Sequence, residues 1–249
     1  MIAIDTYLLE SVKRSIAILC LSIASYQDIK SREVSDKVWL PIIVTSIIIN
    51  AIEKVWIDAS IFRFYLLSIA ITSFLALTLA YLGLIGGADA KAYICLSILE
   101  IPLVAVTVDK LIPGISIFMN SVILSVFAML IIVINNIILL LKTELYFPPN
   151  IGILKKIILF LSATIVDLNK VKDQPYKYFI LSSLQNTVEI KISIQNMDNY
   201  MDIIESLEKK GIKKVWVSPT LPFILFIFIG YLLYLILGNI ILYILNILF

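Results

Sequence analysis

Histidine is absent from all 249 residues, and with it go Ser-His-Asp and Cys-His nucleophilic schemes, HExxH metalloprotease sites and histidine zinc sites. Cysteine is nearly absent. Cys20 and Cys95 both fall inside apolar stretches, which argues against a CxxC metal site or a disulfide framework and leaves two small buried hydrophobes as the expectation. Charge is sparse at 15% of residues and nearly balanced at +2. No basic tract interleaved with aromatics occurs, so nucleic acid is not an expected partner. There is no repeat, low-complexity tract or Gly/Ser linker, which excludes a solenoid or an array. Carboxylates, hydroxyls, lysines and the two thiols are what remain for chemistry.

What the chain has in abundance is apolar length: 61% of its residues are apolar, gathered in long blocks as in a membrane protein. Six blocks stand out, roughly Leu8 to Ala24, Val38 to Ile52, Phe64 to Ile85, Ala92 to Val108, Ile115 to Leu141 and Leu221 to Leu248. The opening MIAIDTYLLESVKR carries acids before its apolar run and lacks a small-residue cleavage signature, so it reads as the flank of a first membrane helix. The expected fold is an all-α polytopic membrane protein of six transmembrane helices in a lipid bilayer, with a small α+β cytosolic insert before the last helix. Its expected divisions are a membrane domain over residues 1–141, an insert over 142–217 and a sixth transmembrane helix over 218–249.

If all six blocks span, connections 1-2, 3-4 and 5-6 share one face with fifteen Lys and Arg against five on the other. Long loops count little under the positive-inside rule, and the short flanks balance until Lys142, Lys213 and Lys214 are added. These put the insert in the cytoplasm and both termini outside. Within it, Val188, Ile190, Ile192 and Ile194 alternate with polar neighbours as in a half-buried strand. Asp198 or Asn199 can cap a helix through Met201, Ile204 and Leu207 that Gly211 stops, and Lys213 to Ser218 resembles a short strand. The apolar stretch Ile151 to Val166 ahead of them, with Lys155 and Lys156 inside it, is short for a seventh span and suits the membrane surface.

Two acids then attract attention. Asp28 follows the first block, whose uncharged run from Ser15 to Gln27 covers only about 20 Å of a hydrocarbon layer of about 30 Å. The helix either starts earlier, with Lys13 and Arg14 snorkelling, or continues past Asp28. Asp89 follows the third block in Gly86-Gly87-Ala88-Asp89-Ala90-Lys91, where the two glycines allow a sharp turn and a fourth helix would start, favouring an ionised carboxylate. Blocks one and three run in the same direction, so Asp28 and Asp89 fall at the same face. Ionisable groups near the hydrocarbon are costly and are candidates for function. A solvated flank paired with Lys30 or Arg32, or a cap on helix four paired with Lys91, are the plainer readings of these acids.

Asp28 in a D-x-K/R setting after helix one, Gly86-x-Ala88-Asp89 after helix three, six spans and a late cytosolic insert together resemble the archaeal preflagellin and prepilin peptidases of the GxGD aspartyl protease class. Val215-Trp216-Val217-Ser218-Pro219, leading through Pro222 into the last helix, adds to the resemblance, which covers nearly the whole chain. It implies catalytic aspartates at Asp28 and Asp89, with Gly86, Gly87 and Ala88 as backbone support. Ala88 stands where the motif has its second glycine, a departure the archaeal members tolerate. The bacterial four-cysteine zinc motif and the methyltransferase-linked region are missing, so the implied reaction is cleavage without N-methylation, metal or cofactor. Two close carboxylates share one proton; the ionised one draws a proton from water while the protonated one polarises the scissile carbonyl.

The implied substrate is a membrane-inserted preflagellin or prepilin precursor with a short basic leader ahead of an apolar helix, cut at the cytoplasmic face of an archaeal cell membrane. Glu33 and Asp36 are the candidate contacts for the basic leader. Arg32 and Lys91 are candidates for balancing the charge of the pair, and Trp39, Trp56 and Trp216 for interfacial anchors. The competing readings are a small cation- or proton-coupled transporter using the same aspartates, a presenilin-like intramembrane protease, and a non-enzymatic assembly subunit. Gln27 ahead of Asp28 and Ser218-Pro219-Thr220-Leu221-Pro222 fit the presenilin pattern poorly.

Overall fold

A computed structural model describes residues 6–52, 59–102, 110–147, 151–182 and 197–248. The chain is mostly helical and divides into two compact units, residues 1–125 with 222–249, and residues 126–221.

The first unit is a helical bundle. Helix α1 (Thr6–Ser31) both starts ahead of Lys13 and continues past Asp28, so it takes up each of the two extensions left open by its short uncharged run. A 3-10 turn (Asp36–Val38) leads into α2 (Trp39–Ile52), and α3 (Ala59–Tyr81) follows. The positive φ of 70° at Gly83 closes α3 in a Schellman turn, with the Gly83 N–H on Ala80 O and the Leu84 N–H on Leu79 O. Helix α4 (Gly87–Leu99) is the central element, packing against α1, α2 and α3 and against the late helix α9 (Phe223–Leu237). Eight of its thirteen residues are buried. Ala17, Leu21 and Ala24 on α1, three and four positions apart, form one stripe of the same core with Ile42, Leu96, Leu99, Ile227 and Tyr231. Cys20 and Cys95 are both buried there as free thiols.

Helix α5 (Pro113–Leu141) opens on proline, whose missing N–H costs nothing in a first turn. Helices α3 and α5 are each long and apolar enough to cross a membrane. A third crossing is formed if α9 and α10 (Ile240–Leu248), bent by 41° at their junction, count as one span. The break falls at Gly238, and Asn120 of α5 repairs it. Its amide donates to Gly238 O and its oxygen accepts the Ile240 N–H, 2.9 Å each, partners that freed backbone groups need in an apolar medium.

The second unit takes in the end of α5, helix α6 (Ile153–Ser162), strand β1 (Thr164–Asp167), helix α7 (Leu168–Asp173), strand β2 (Tyr178–Ser182), helix α8 (Met197–Lys209) and strand β3 (Lys214–Pro219). The strands form an antiparallel sheet in the order β1-β3-β2. Strand alternation sends Val215 and Val217 to one face, under Leu168 and Val171 of α7 and Tyr200, Ile204 and Leu207 of α8. Trp216 points the other way, against Leu159, Ala163 and Ile165. It stacks on Phe147 at 5.6 Å, and its ring N–H donates to Tyr146 O at 3.0 Å. Outside the membrane-length helices, Lys214 holds the exposed Glu144 carboxyl below its ordinary range through a 2.8 Å contact.

Several expectations meet the structure here. The helix stopped by Gly211 and the strand after it are present as α8 and β3, with Gly211 at φ 70°. The alternating segment Thr187 to Ile194 lies outside the described residues, as do Trp56 and the side chains of Asp198 and Asn199. The apolar stretch Ile151 to Val166 divides into α6 and β1. Trp216 and Trp39 are 1% and 3% exposed, so both are core residues and not interfacial anchors.

Candidate active site

Asp28 sits one turn before the end of α1. Its Oδ2 accepts the Ile224 N–H at 3.1 Å, one of the N–H groups that the first turn of α9 leaves without an intrahelical partner. A carboxylate there also meets the positive end of the helix dipole. The α1 stop is unusual: Arg32 adopts φ 59°, its N–H bonds Asp28 O at 3.1 Å, and its guanidinium folds back to within 3.7 Å of Asp28 Oδ1. One residue thus ends the helix and supplies the cation beside the acid.

Asp89 is the third residue of α4. Its Oδ2 accepts the Gly86 N–H at 2.8 Å, and the Ala90 N–H bonds Gly86 O. This is the carboxylate half of a capping box, and glycine has no side chain to supply the other half. Gly86 has an extended backbone, φ −75° and ψ 159°, open to any residue; the left-handed residue of this connection is Gly83. What Gly86 provides is room: a Cβ there would lie 3.1 Å from Asp89 Oδ2, whereas one on Gly87 would meet nothing within 4 Å.

Asp28 and Asp89 are each only 9% exposed, and α9, whose Ile224 N–H holds Asp28, packs against both α1 and α4. The structure thus places two acids that are 61 positions apart in sequence at one end of the bundle, each held by a backbone N–H. Ala88 lies between Gly87 and Asp89 and packs against the core. Glu33 is exposed. Asp36, also exposed, is in contact with Lys91 Nζ, so Lys91 serves the connection between the first two helices and does not pair with Asp89. Among the described residues no cluster of three or more Cys, Asp or Glu side chains is placed to hold a metal ion.

A second polar cluster lies toward the other ends of the same helices. The 2% exposed Glu100 accepts a forked contact from Arg14, at 3.2 and 3.0 Å, and the Tyr231 hydroxyl at 2.9 Å. Arg14 also meets Glu10 at 3.0 Å. Lys13, 1% exposed, donates to Asn50 Oδ1 at 2.8 Å. Lys13 is therefore an interior group and Arg14 a half-buried one; snorkelling was one of the two ways open to them. Glu100, inside the fourth apolar block, was the signal: an acid in an apolar run needs a partner.

Helices of membrane-crossing length and composition make this a membrane protein. The family model described as the type IV leader peptidase family matches residues 15–141, just over half of the chain, and a second, described as archaeal peptidase A24 C-terminus type II, matches residues 155–240. The chain belongs to the type IV leader peptidase family, with the archaeal prepilin and preflagellin peptidases, and is an aspartic-type peptidase. No curated protein sequence matches it.

Proposed function

We propose that the protein is a membrane-embedded aspartic endopeptidase that uses Asp28 and Asp89 to remove the short basic leader from preflagellin or type IV prepilin-like precursors, without N-methylation. The observation that carries this reading is a pair of nearly buried carboxylates at one end of the helical bundle, Asp28 at the end of α1 and Asp89 at the start of α4, each on a backbone N–H. Two acids in that relation share a proton: one activates water while the other polarises the peptide carbonyl. Gly86 gives Asp89 its space, Gly87 and Ala88 carry the chain into α4, and Arg32 steadies Asp28. The precursor's apolar helix enters the bilayer beside the spans, and its basic leader meets Glu33 and Asp36.

The same reading has six spans, with residues 1–141 and 218–249 in the membrane and residues 142–217 in the cytoplasm, so that cleavage takes place at the cytoplasmic face of an archaeal cell membrane. Reconstitution with a precursor bearing a basic leader, read by product mass, tests it. Wild type is expected to release the leader and an unmethylated product. Asp28→Asn and Asp89→Asn are each expected to release none, and wild-type cleavage by either variant would refute the pair.

A further inference from the structure

The second unit carries a helix whose solvent-facing side has no place in water. Only Leu159 of α6 is buried, against the Trp216 face of the sheet. Ile153, Leu154, Ile157, Ile158 and Leu161 are between 48% and 77% exposed. At about 100° per residue they fill one continuous arc of roughly 140°, and Lys155 and Lys156 lie about 130° to either side of its centre. An apolar arc with a lysine on each flank is the pattern of a helix lying in a membrane surface, acyl chains below and headgroups beside it.

The height at which α6 is tied fits that position. The Asn136 amide donates to Phe160 O and Ala163 O at 2.8 and 2.6 Å, and the Asn135 amide to Thr164 Oγ1 at 2.8 Å. These bonds fasten the C-terminal end of α6 to α5. Asn135 and Asn136 stand roughly 33 Å along α5 from Pro113, about one hydrocarbon thickness. A membrane-length helix thus delivers α6 to the level where hydrocarbon gives way to headgroups.

We propose that α6 is an in-plane anchor that docks the second unit onto an anionic lipid surface, its apolar arc in the acyl boundary and Lys155 and Lys156 at lipid phosphates. This holds whatever the protein cleaves, since it rests on α6 and on the helix α5 that carries it and on neither aspartate.

The test is made on the full-length protein in phosphatidylcholine vesicles with or without phosphatidylglycerol. An environment-sensitive fluorophore is placed at Leu154→Cys or Ile158→Cys, both exposed, with labelling of unsubstituted protein subtracted to remove Cys20 and Cys95. Brominated acyl chains are expected to quench both labels and aqueous iodide to leave them bright, more completely with phosphatidylglycerol present. In the Lys155→Gln/Lys156→Gln background the docked-to-free ratio in anionic vesicles should fall roughly fivefold per lysine. Iodide quenching without bromine quenching would mean a free surface, and shielding from both would mean that a second copy or another protein covers α6; either result overturns the proposal. A double variant that docks as wild type removes the lysines from the lipid contact.

Discussion

A methyl group on Gly86 would stand 3.1 Å from the oxygen of Asp89 that this residue's own N–H holds. One of the two must give by a few tenths of an ångström, and a displacement of about 1 Å at a reacting group costs on the order of a hundredfold in rate. Gly86→Ala is therefore expected to slow leader removal about tenfold, with the backbone at φ −75° unstrained and the melting temperature unchanged. Turnover and thermal unfolding measured on the same preparation check this. Equal loss of both would mean that Gly86 matters to folding and not to Asp89. At this scale the two acids were legible through the parity of helix ends and the resemblance, but their supports were not. The donor to Asp28 is the Ile224 backbone N–H, and a backbone group leaves no mark in the residue type. The left-handed Arg32 was equally hidden, because that conformation costs a non-glycine residue roughly 1–2 kcal/mol and is not expected of arginine. Glu100 stood in plain view inside the fourth apolar block; only its partners needed the fold.

Between elements, the network at Glu100 joins the three helices that also build the aspartate site: α1 through Arg14, α4 through Glu100 itself and α9 through Tyr231. Tyr231→Phe deletes one hydrogen bond to a buried charged group and is expected to cost about 1.5–3 kcal/mol. Glu100→Ala should cost more, because it also takes from Arg14 the deeper of its two acids. Thermal unfolding in detergent should rank wild type above Tyr231→Phe and Tyr231→Phe above Glu100→Ala. A Glu100→Ala protein as stable as wild type would reduce the network to an incidental contact. Periodicity succeeded for elements whose patterns are local, such as α8 with its buried Tyr200, Ile204 and Leu207 and its Gly211 stop. It failed where one apolar run serves two elements. Ile151 to Val166 is continuous in hydropathy, yet it turns from helix to strand at Ala163, whose carbonyl Asn136 takes. Trp216 misled for a related reason: near a membrane helix it suggests an interface, while its place in β3 turns it into the sheet's inner face.

For the molecule as a whole, the positions of the aspartates bear on the number of crossings. Helices α2 and α4, at fourteen and thirteen residues, extend only about 20 Å, short of a bilayer by themselves. If only α3, α5 and the bent α9–α10 pair crossed, Asp28, before α3, would lie on one face and Asp89, after it, on the other. Yet the end of α1 that carries Asp28 and the start of α4 that carries Asp89 lie at the same end of one packed bundle. Arg14, about 21 Å back along α1, meets Glu100, about 16 Å on along α4. Helices α1 and α4 therefore lie side by side and antiparallel over about 16–21 Å, as six crossings require. Single cysteines at Lys37, Leu84 and Lys110 separate the alternatives by labelling from either side of sealed vesicles with a membrane-impermeant maleimide. Six crossings place Leu84 with Lys37 and opposite Lys110, whereas three place Leu84 with Lys110 and opposite Lys37. The expected pattern is the first. The second would put the α3–α4 turn on the wrong side of the membrane for Asp89 to reach Asp28, and the paired-acid site would fall together with the six-span fold.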